Sequence, residues 1–161
     1  MPGYELIGKE EQKEIDSIFK NGNGVLFRHG FENIRNNSNK VLEFERNFAK
    51  LVGSKYALAV TSGTAALRVA LASLNIKKGD EVITQAFTFV ATVESIVESG
   101  ATPVCTEIDK TLNMDPDDLL KKINKKTKAV IAVHMLGVPA RLDKIKKICK
   151  KQNIPLIEDT A

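Results

Sequence analysis

The sequence predicts an α/β protein whose sheet is mostly parallel and carries helices on both faces. Three observations lead to this fold class. From residue 55 onward, short apolar runs alternate with stretches in which apolar residues recur at helical spacing. The run 129–133 is apolar throughout, as expected of a parallel strand that is covered on both faces. The length of 161 residues suits one ordinary domain.

The first part of the chain, residues 1–39, predicts an arm made of one helix and one long loop. Residues 9–19 have helical spacing, and the segment 21–39 holds three glycines among six asparagines, which is typical of a loop. A loop of this length in a compact chain is usually functional or mobile. The apolar residues that we expect to face inward from the helix are Ile15, Ile18 and Phe19.

The second part, residues 40–161, predicts the α/β domain. It opens with an amphipathic helix that ends at Gly53 and carries Val41, Phe44, Phe48 and Leu51 at spacings of three and four. Strands are predicted at 56–60, 81–84, 102–107, 129–133 and 155–158. Helices are predicted at 64–74, 89–98, 115–124 and 141–151. Asp115 followed by Pro116 is a strong helix start.

Composition excludes several classes of protein. A hydrophobic fraction of 43% and a charged fraction of 27% fit a soluble globular chain. No apolar stretch approaches the ~20 residues that cross a bilayer, and the first residues lack the basic start and apolar core of a signal peptide. The spacing of Cys105 and Cys149 fits neither a zinc site nor a disulfide framework. We therefore predict a cytoplasmic protein with reduced thiols, no bound metal and no membrane segment.

The net charge of +4 has a simple source that does not indicate nucleic-acid binding. Ten of the 24 basic residues lie in two lysine clusters, at 121–128 and 144–151, and apolar residues at helical spacing separate them. This pattern is typical of the solvated face of an amphipathic helix. The chain has no tryptophan and no basic motif interleaved with aromatic residues. We therefore predict no nucleic-acid partner.

One segment that can carry chemistry is the turn 61–67, which reads Thr-Ser-Gly-Thr-Ala-Ala-Leu and leads from a predicted strand directly into a helix. Ligands of parallel α/β sheets bind at the carboxyl ends of strands, and the free N–H groups of a helix start can bind a phosphate. The turn lacks the glycine patterns of nucleotide-binding loops. An equally good interpretation from spacing alone is that Ser62 caps a buried helix.

A second segment of interest is Glu158-Asp159, at the end of the last predicted strand. One interpretation is another helix N-cap. The other is a carboxylate that keeps a heterocyclic nitrogen protonated through a charge-assisted hydrogen bond. Both interpretations stay open on the residues alone.

Five segments occur together in one order and resemble a known family. They are 57–67, 79–92, 113–116, 133–137 and 157–159. In this order they resemble the DegT/DnrJ/EryC1/StrS family of pyridoxal-phosphate (PLP) sugar aminotransferases, over essentially the whole chain. The resemblance implies that residues 40–161 are part of a fold-type-I PLP-binding large domain. The C-terminal half of that domain and the small domain would be absent, and strand 56–60 would lack its neighbours in the sheet.

The resemblance implies a cofactor site. Gly63, Thr64 and Ala65 would bind the phosphate of PLP, Phe89 would stack on the pyridine ring, and Asp159 would pair with the ring nitrogen. A protonated ring is an electron sink, which is the reason the last contact matters. Without the resemblance, Phe89 is better interpreted as a core aromatic.

The resemblance also implies substrate contacts. Arg28 and His29 lie in the glycine- and asparagine-rich loop, where the family gathers substrate and dimer contacts. His134 should lie near the pocket, although on its own it is better interpreted as a satisfied polar residue at a strand end.

The resemblance implies that the protein is an aminotransferase of polysaccharide biosynthesis and a homo-oligomer. Its acceptor would be a nucleotide-linked keto-sugar, and its amino donor would be glutamate. The alternatives are a PLP-dependent sugar dehydratase of the same fold, a non-catalytic cofactor-binding or interaction fragment, and an unrelated α/β nucleotide-binding module. The family's Schiff-base lysine lies some way past the Glu158-Asp159 position and thus beyond this chain. We therefore expect no catalytic residue among the 161 residues and no activity from the chain alone.

Overall fold

The computed structural model of the chain describes residues 4–27 and 30–161. The chain divides into two compact units, Met1–Ala59 (unit 1) and Val60–Ala161 (unit 2). The division between the units falls after the second long helix, whereas the predicted arm ends before it. The arm of residues 1–39 and the domain of residues 40–161 stay predictions.

Unit 1 contains helices that the sequence signals predict. A 3₁₀ turn, Tyr4–Leu6, precedes helix α1 (Lys9–Asn21) and helix α2 (Lys40–Val52). The Asn39 side chain caps α2 by accepting the N–H of Leu42 at 3.1 Å. Gly53 ends α2 in the left-handed region, with φ of 69°. Both predicted helices, and the predicted end of α2 at Gly53, are confirmed.

The predicted inward face of α1 is wrong at Ile15 and Phe19, whereas Ile18 is half-buried, and the apolar face of α2 is exposed as well. The side chains of Ile15 and Phe19 on α1 and of Phe44 and Leu51 on α2 are all exposed, and Leu51 is 81% exposed. Glu45 of α2, by contrast, is buried. An apolar helix face is buried only where a second layer packs against it, and the described part of unit 1 supplies no such layer.

Unit 2 is built on a parallel sheet of order β2-β1-β3-β4. The strands are β1 (Glu81–Gln85), β2 (Thr102–Thr106), β3 (Thr127–Val133) and β4 (Leu156–Asp159). These confirm every predicted strand except 56–60. Residues 56–60 are not a strand because they pair with no neighbour among the described residues, and a strand exists only through its ladder.

Four helices connect and cover this sheet. They are α3 (Gly63–Ser73), α4 (Val90–Glu98), α5 (Pro116–Lys122) and α6 (Leu142–Gln152), and a 3₁₀ turn, Met135–Gly137, lies between β3 and α6. Asp115 caps α5 by accepting the N–H of Asp117 at 2.9 Å. Helix α5 ends earlier than predicted because Ile123 takes up extended backbone angles.

The core of unit 2 consists of two apolar layers, one on each face of the sheet. Successive side chains of a strand point to opposite faces, so β3 contributes to both. The layer on the α3/α4 face contains Leu67, Leu71, Val82, Ile96, Ala101, Ala129, Ile131 and Val133. The layer on the α5/α6 face contains Ile83, Met114, Leu119, Val130, Ala132, Ala140, Ile145 and Cys149. The predicted sheet with helices on both faces is confirmed.

The two lysine clusters are exposed throughout. The cluster 144–151 lies on α6, opposite the buried residues Ile145 and Cys149, which confirms the solvated helix face. The cluster 121–128 does not lie on one helix face as predicted, because α5 ends at Lys122 and Lys128 already belongs to β3.

Candidate functional site

The carboxyl ends of the four parallel strands meet at one edge of the sheet, which we call the carboxyl edge. Helix α4 begins shortly after β1 ends there and leads back to the start of β2. Helix α3 leads through a short connection to the start of β1, so it also begins on the side of the carboxyl edge. The α3/α4 face at this edge therefore collects two helix starts, which is where α/β sheets bind ligands.

Asp159, the last residue of β4, lies on this face. It is in register with Val133, which belongs to the α3/α4 layer. Its Oδ2 accepts the hydroxyl of Thr92 at 3.3 Å, and its Oδ1 accepts the N–H of Ala161 at 3.2 Å. Its main-chain oxygen accepts the N–H of His134 at 3.0 Å. Both carboxylate oxygens are thus oriented by protein donors.

Phe89 is the N-cap residue of α4 and is connected to Asp159 through hydrogen bonds of Thr92. Its carbonyl accepts the N–H of Thr92, the residue that bonds the Asp159 carboxylate, at 3.1 Å. The Phe89 side chain is 74% exposed. The interpretation of this residue as a core aromatic is therefore wrong, and its ring is free to contact a ligand.

The start of α3 confirms the capping interpretation of Ser62. The Ser62 hydroxyl accepts the N–H of Ala65 at 3.1 Å, and its carbonyl accepts that of Ala66 at 3.0 Å. Within residues 4–27 and 30–161, the N–H groups of Gly63 and Thr64 donate to no protein acceptor. A Cβ placed on Gly63 would have no atom within 4 Å. Two free donors and open space fit an anion such as the phosphate of PLP.

Glu158 and His134 lie on the opposite face. Glu158 is in register with Ala132 of the α5/α6 layer, and Lys146 pairs with its Oε1 at 2.9 Å. The Nδ1 of His134 accepts the N–H of Ala140 at 2.9 Å, and its Nε2 lies 3.7 Å from Oε2 of Glu158. Both ring nitrogens face protein groups, as expected of a satisfied polar residue.

The structure therefore unites some predicted site residues and separates others. It brings the start of α3, Phe89 and Asp159 to one face, and it directs the ring of His134 to the other. Arg28 and His29 lie outside the described residues. The roles of all these residues stay predictions.

The sequence analysis missed Gln85, which organises the carboxyl edge. Its side chain is fully buried. Its Nε2 donates to the carbonyls of Phe87 at 3.0 Å and Leu112 at 3.2 Å. Its Oε1 accepts the N–H groups of Met114 and Val133, each at 3.2 Å. One amide thus fixes the loops that follow β1 and β2 against the end of β3.

Asn113 has a similar role beside it. It is fully buried, its Nδ2 donates to the carbonyl of Val138 at 3.0 Å, and its Oδ1 accepts the N–H of Met135 at 2.9 Å. An amide at the end of an apolar strand is the signal that points to Gln85 in the sequence. The partners of both amides are distant in sequence and only the fold identifies them.

Two ionisable groups of unit 2, one in the loop after β2 and one on α6, have shifted pKa values. The Thr111 hydroxyl donates to Oδ1 of Asp109 at 2.5 Å and lowers the pKa of that carboxyl. Burial raises the pKa of the Cys149 thiol. Cys105 is exposed, and both cysteines are free thiols.

Two further grooves lie elsewhere in the described part of the chain. A groove of about 350 Å³ in unit 1 is lined by residues of α1 and α2, and one of about 610 Å³ in unit 2 is lined by Arg68, Ser95, Glu98 and their neighbours. Residues 4–27 and 30–161 contain no group of three or more His, Cys, Asp or Glu that could hold a metal. No helix in these ranges has the length and apolar character needed to cross a membrane.

The sequence is similar to those of two named bacterial proteins. The chain is 44% identical over 119 residues to GDP-perosamine synthase of Vibrio cholerae, covering 73% of this chain and 32% of that protein. It is 40% identical over 157 residues to the spore coat polysaccharide biosynthesis protein SpsC of Bacillus subtilis, covering 97% of this chain and 38% of that protein. It thus spans roughly a third of the length of these relatives.

Its fold matches solved aminotransferase-family structures as well. The structure of NtdA from Bacillus subtilis with the bound cofactor pyridoxamine phosphate (PMP) superposes with a TM-score of 0.83 at 28% identity, covering 98% of this chain and 35% of that chain. This match confirms the predicted fold class. The family itself uses PLP as its cofactor. Residues 10–161 match the family's sequence pattern, and the chain therefore belongs to the DegT/DnrJ/EryC1/StrS aminotransferase family.

Proposed function

We propose that the carboxyl edge of the α3/α4 face is part of the PLP site of a sugar aminotransferase. One observation carries this proposal: the open start of α3, the exposed ring of Phe89 and the carboxylate of Asp159 lie on the same face of the sheet. PLP offers each of them a matching group, namely a phosphate, an aromatic ring face and a protonated ring nitrogen.

Each group has a physical task. Bound PLP supplies an electron sink for the reaction at the substrate's amino-bearing carbon. The N–H groups of Gly63 and Thr64, together with the positive end of the α3 dipole, would hold the phosphate. Ala65, the third residue predicted at the phosphate, donates its N–H to the hydroxyl of Ser62 and so contributes only through its place in the first turn. The Phe89 ring covers one face of the cofactor and excludes water. The Asp159 carboxylate accepts a hydrogen bond from the ring nitrogen and so favours its protonated form.

The substrates are proposed from the names of the relatives. The Vibrio cholerae relative is named for a GDP-linked sugar and the Bacillus subtilis relative for polysaccharide biosynthesis. These names support a nucleotide-linked keto-sugar as the acceptor and a role in polysaccharide synthesis. Glutamate as the donor, and Arg28 and His29 as substrate contacts, follow from the family resemblance. The resemblance is also the only support for His134 as a substrate contact, because its ring faces Ala140 and Glu158 on the opposite face.

We propose that the 161 residues alone do not catalyse the transfer. In the described part of the chain, the polar partners of Asp159 are Thr92, Ala161 and His134, and no lysine is among them. Lys146 is paired with Glu158 on the opposite face. An aminotransferase needs a lysine at the cofactor to form the covalent link and move the proton.

Borohydride reduction of the chain with PLP, followed by mass analysis, tests this statement. We expect no specific phosphopyridoxyl-lysine and no release of 2-oxoglutarate from glutamate. A stoichiometric adduct on a single lysine, accompanied by turnover, would contradict it.

We further propose that the protein is a cytoplasmic homo-oligomer. In unit 1 the exposed rings of Phe44 and Phe48 stack with their centroids 5.7 Å apart, on a helix face that is apolar along its length. Exposed apolar patches of this kind mark interaction sites. Free thiols at Cys105 and Cys149 suit a reducing compartment. Sedimentation that shows only a monomer at micromolar concentration would contradict the homo-oligomer.

Gly63→Asp tests the phosphate contact. An acidic residue at the start of α3 interacts favourably with the helix dipole, so the free chain should gain about 0.5 kcal/mol of stability. The same charge should repel the phosphate of PMP and weaken its binding about tenfold or more. Calorimetric titration with PMP, compared with thermal unfolding of the free chain, measures both effects.

Gly63→Asn is the matched control, because asparagine has nearly the same size as aspartate and no charge. It should bind PMP better than the aspartate variant, and pyridoxamine without its phosphate should bind both variants alike. If the two variants weakened PMP equally, the start of α3 would not be the phosphate site.

A further inference from the structure

We infer that Thr92 is a positioning residue for the cofactor's ring nitrogen, which it serves by fixing the carboxylate of Asp159. The inference rests on the proposed function, in which Asp159 pairs with that nitrogen. Thr92 is 1% exposed, and its hydroxyl donates to Oδ2 of Asp159 at 3.3 Å. Its Oγ1 also lies 3.0 Å from that of Thr88.

The direction of these hydrogen bonds follows from the carboxylate. An ionised carboxylate can only accept, whereas a hydroxyl has one proton to donate. Thr92 therefore gives its proton to Asp159, and its oxygen accepts the proton of Thr88. The two hydroxyls form a polarised chain that ends on Oδ2, and each bond in such a chain strengthens the next.

This arrangement differs from the usual local bond of a helical hydroxyl. A serine or threonine inside a helix usually donates to the carbonyl four residues earlier. Ser95, three positions further along α4, does so with the carbonyl of Ala91 at 2.7 Å. Thr92 instead directs its hydroxyl across to β4. Besides its local contact with the hydroxyl of Thr88, the Thr92 hydroxyl has Asp159 as its partner, and we assign Thr92 a role because of this distant partner.

Thr92 also fixes the residue that would stack on the ring. Its N–H donates to the carbonyl of Phe89 at 3.1 Å. One buried residue thus bonds both the main chain at the aromatic residue and the side chain at the carboxylate. Thr92 thus links the start of α4, where Phe89 lies, to the carboxylate of Asp159.

The test compares two probes, PMP and its analogue in which carbon replaces the ring nitrogen. The measured quantity is the ratio of their dissociation constants, obtained by calorimetry on the whole chain. In the parent this ratio should favour PMP. Thr92→Val keeps the shape of the side chain and removes the donor, so it should reduce the preference about tenfold, the scale of a hydrogen bond to a charged group. Thr92→Ser retains the hydroxyl and should preserve the preference.

Thr84→Val is the matched control for the change of side chain. Thr84 is also fully buried, and its hydroxyl donates to the carbonyl of Ile131 at 3.1 Å rather than to Asp159. This variant should keep the parent ratio even if it weakens both probes. Thermal unfolding of each variant shows that the chain is folded when the probes are added.

Asp159→Asn separates failure of the inference from failure of the proposed function. If Asp159→Asn loses the preference for PMP and Thr92→Val keeps it, Asp159 pairs with the nitrogen but Thr92 does not position it, and the inference is overturned. An equal weakening of both probes by Thr92→Val overturns the inference as well. If the parent binds neither probe, or Asp159→Asn keeps the parent ratio, the proposed role of Asp159 is itself wrong.

Discussion

The helices of unit 1 and those of unit 2 share the same amphipathic periodicity, yet their apolar faces end in different environments. Leu71 of α3 and Ile145 of α6 are fully buried against the sheet, whereas Phe44 and Phe48 of α2 are 57% and 45% exposed. Periodicity establishes that a helix forms and which side is apolar. Burial of that side depends on a second layer, which in unit 2 is the sheet.

The largest expected effect comes from removing apolar volume in the two units. Ile131→Ala deletes a fully buried side chain at the centre of β3 and should cost about 3 to 4 kcal/mol of the free energy of unfolding. Phe44→Ala deletes a larger but exposed side chain in unit 1 and should cost less than about 1 kcal/mol. Urea unfolding of both variants measures the difference. Equal losses would mean that the apolar face of α2 is covered in solution.

A second contrast concerns Gln85 of unit 2, a buried amide that fixes loops, and an exposed amide of unit 1. Gln85→Leu should cost about 2 to 3 kcal/mol, because it leaves the buried N–H groups of Met114 and Val133 without acceptors. Gln12→Leu, on the exposed side of α1, is the control and should stay within about 0.5 kcal/mol of the parent. Urea unfolding measures both, and hydrogen exchange at Val133 locates the loss. Unchanged exchange there would contradict the organising role of Gln85.

A third prediction concerns a feature that the two units share. Asn39 caps α2 and Ser62 caps α3, each by accepting an N–H three residues later at 3.1 Å. Asn39→Ala and Ser62→Ala should therefore each cost about 1 kcal/mol of helix stability, despite the different burial of the two helices. Hydrogen exchange in the first turn of each helix is the measurement. A loss confined to one unit would show that capping, too, depends on the layer behind the helix.

Much of the fold could be predicted because its signals are local. Residues at the helix ends themselves determine the start of α5, at Asp115 and Pro116, and the end of α2, at Gly53. The uninterrupted apolar run of β3 predicted a strand covered on both faces, and both layers exist. The strand at 56–60 was wrong because an apolar run becomes a strand only when a neighbour pairs with it. The prediction that Ile15 and Phe19 of α1 face inward was wrong because no second layer packs on them among the described residues.

The candidate site shows the same division between local and distant information. Asp159 lies at the end of a predicted strand that the structure contains, so its place at the carboxyl edge could be predicted from topology alone. The turn at Gly63 follows residues 56–60, which are not a strand, so its place depends on the connection from α3 to β1. The register of β4 with β3, which directs Asp159 to one face and Glu158 to the other, could not. Nor could the bond from Thr92 to Asp159, since its members are distant in sequence and meet only through the packing of α4 on the sheet.

The smallest expected effect is a pH dependence that belongs to unit 2. Cys149 is buried in the α5/α6 layer, and burial raises the pKa of its thiol. Because the folded chain holds this proton more tightly than the unfolded chain, the resulting stability is complete below the ordinary thiol pKa of about 8.5. It is lost as the pH rises from there through the folded pKa, with a slope of at most about 1.4 kcal/mol per pH unit.

Cys149→Ala should remove this part of the alkaline decline, whereas Cys105→Ala, at an exposed position, should follow the parent. The measurement is urea unfolding of the three proteins between pH 7 and pH 10 in the presence of a reductant, which gives the slope of the free energy of unfolding against pH. One titrating proton limits the difference between these slopes to about 1.4 kcal/mol per pH unit. Parallel curves for Cys149→Ala and the parent would show that the thiol titrates alike in the folded and unfolded chains. The α5/α6 layer would then admit water at α6, and the contrast with the exposed helices of unit 1 would be weaker than the burial of this layer indicates.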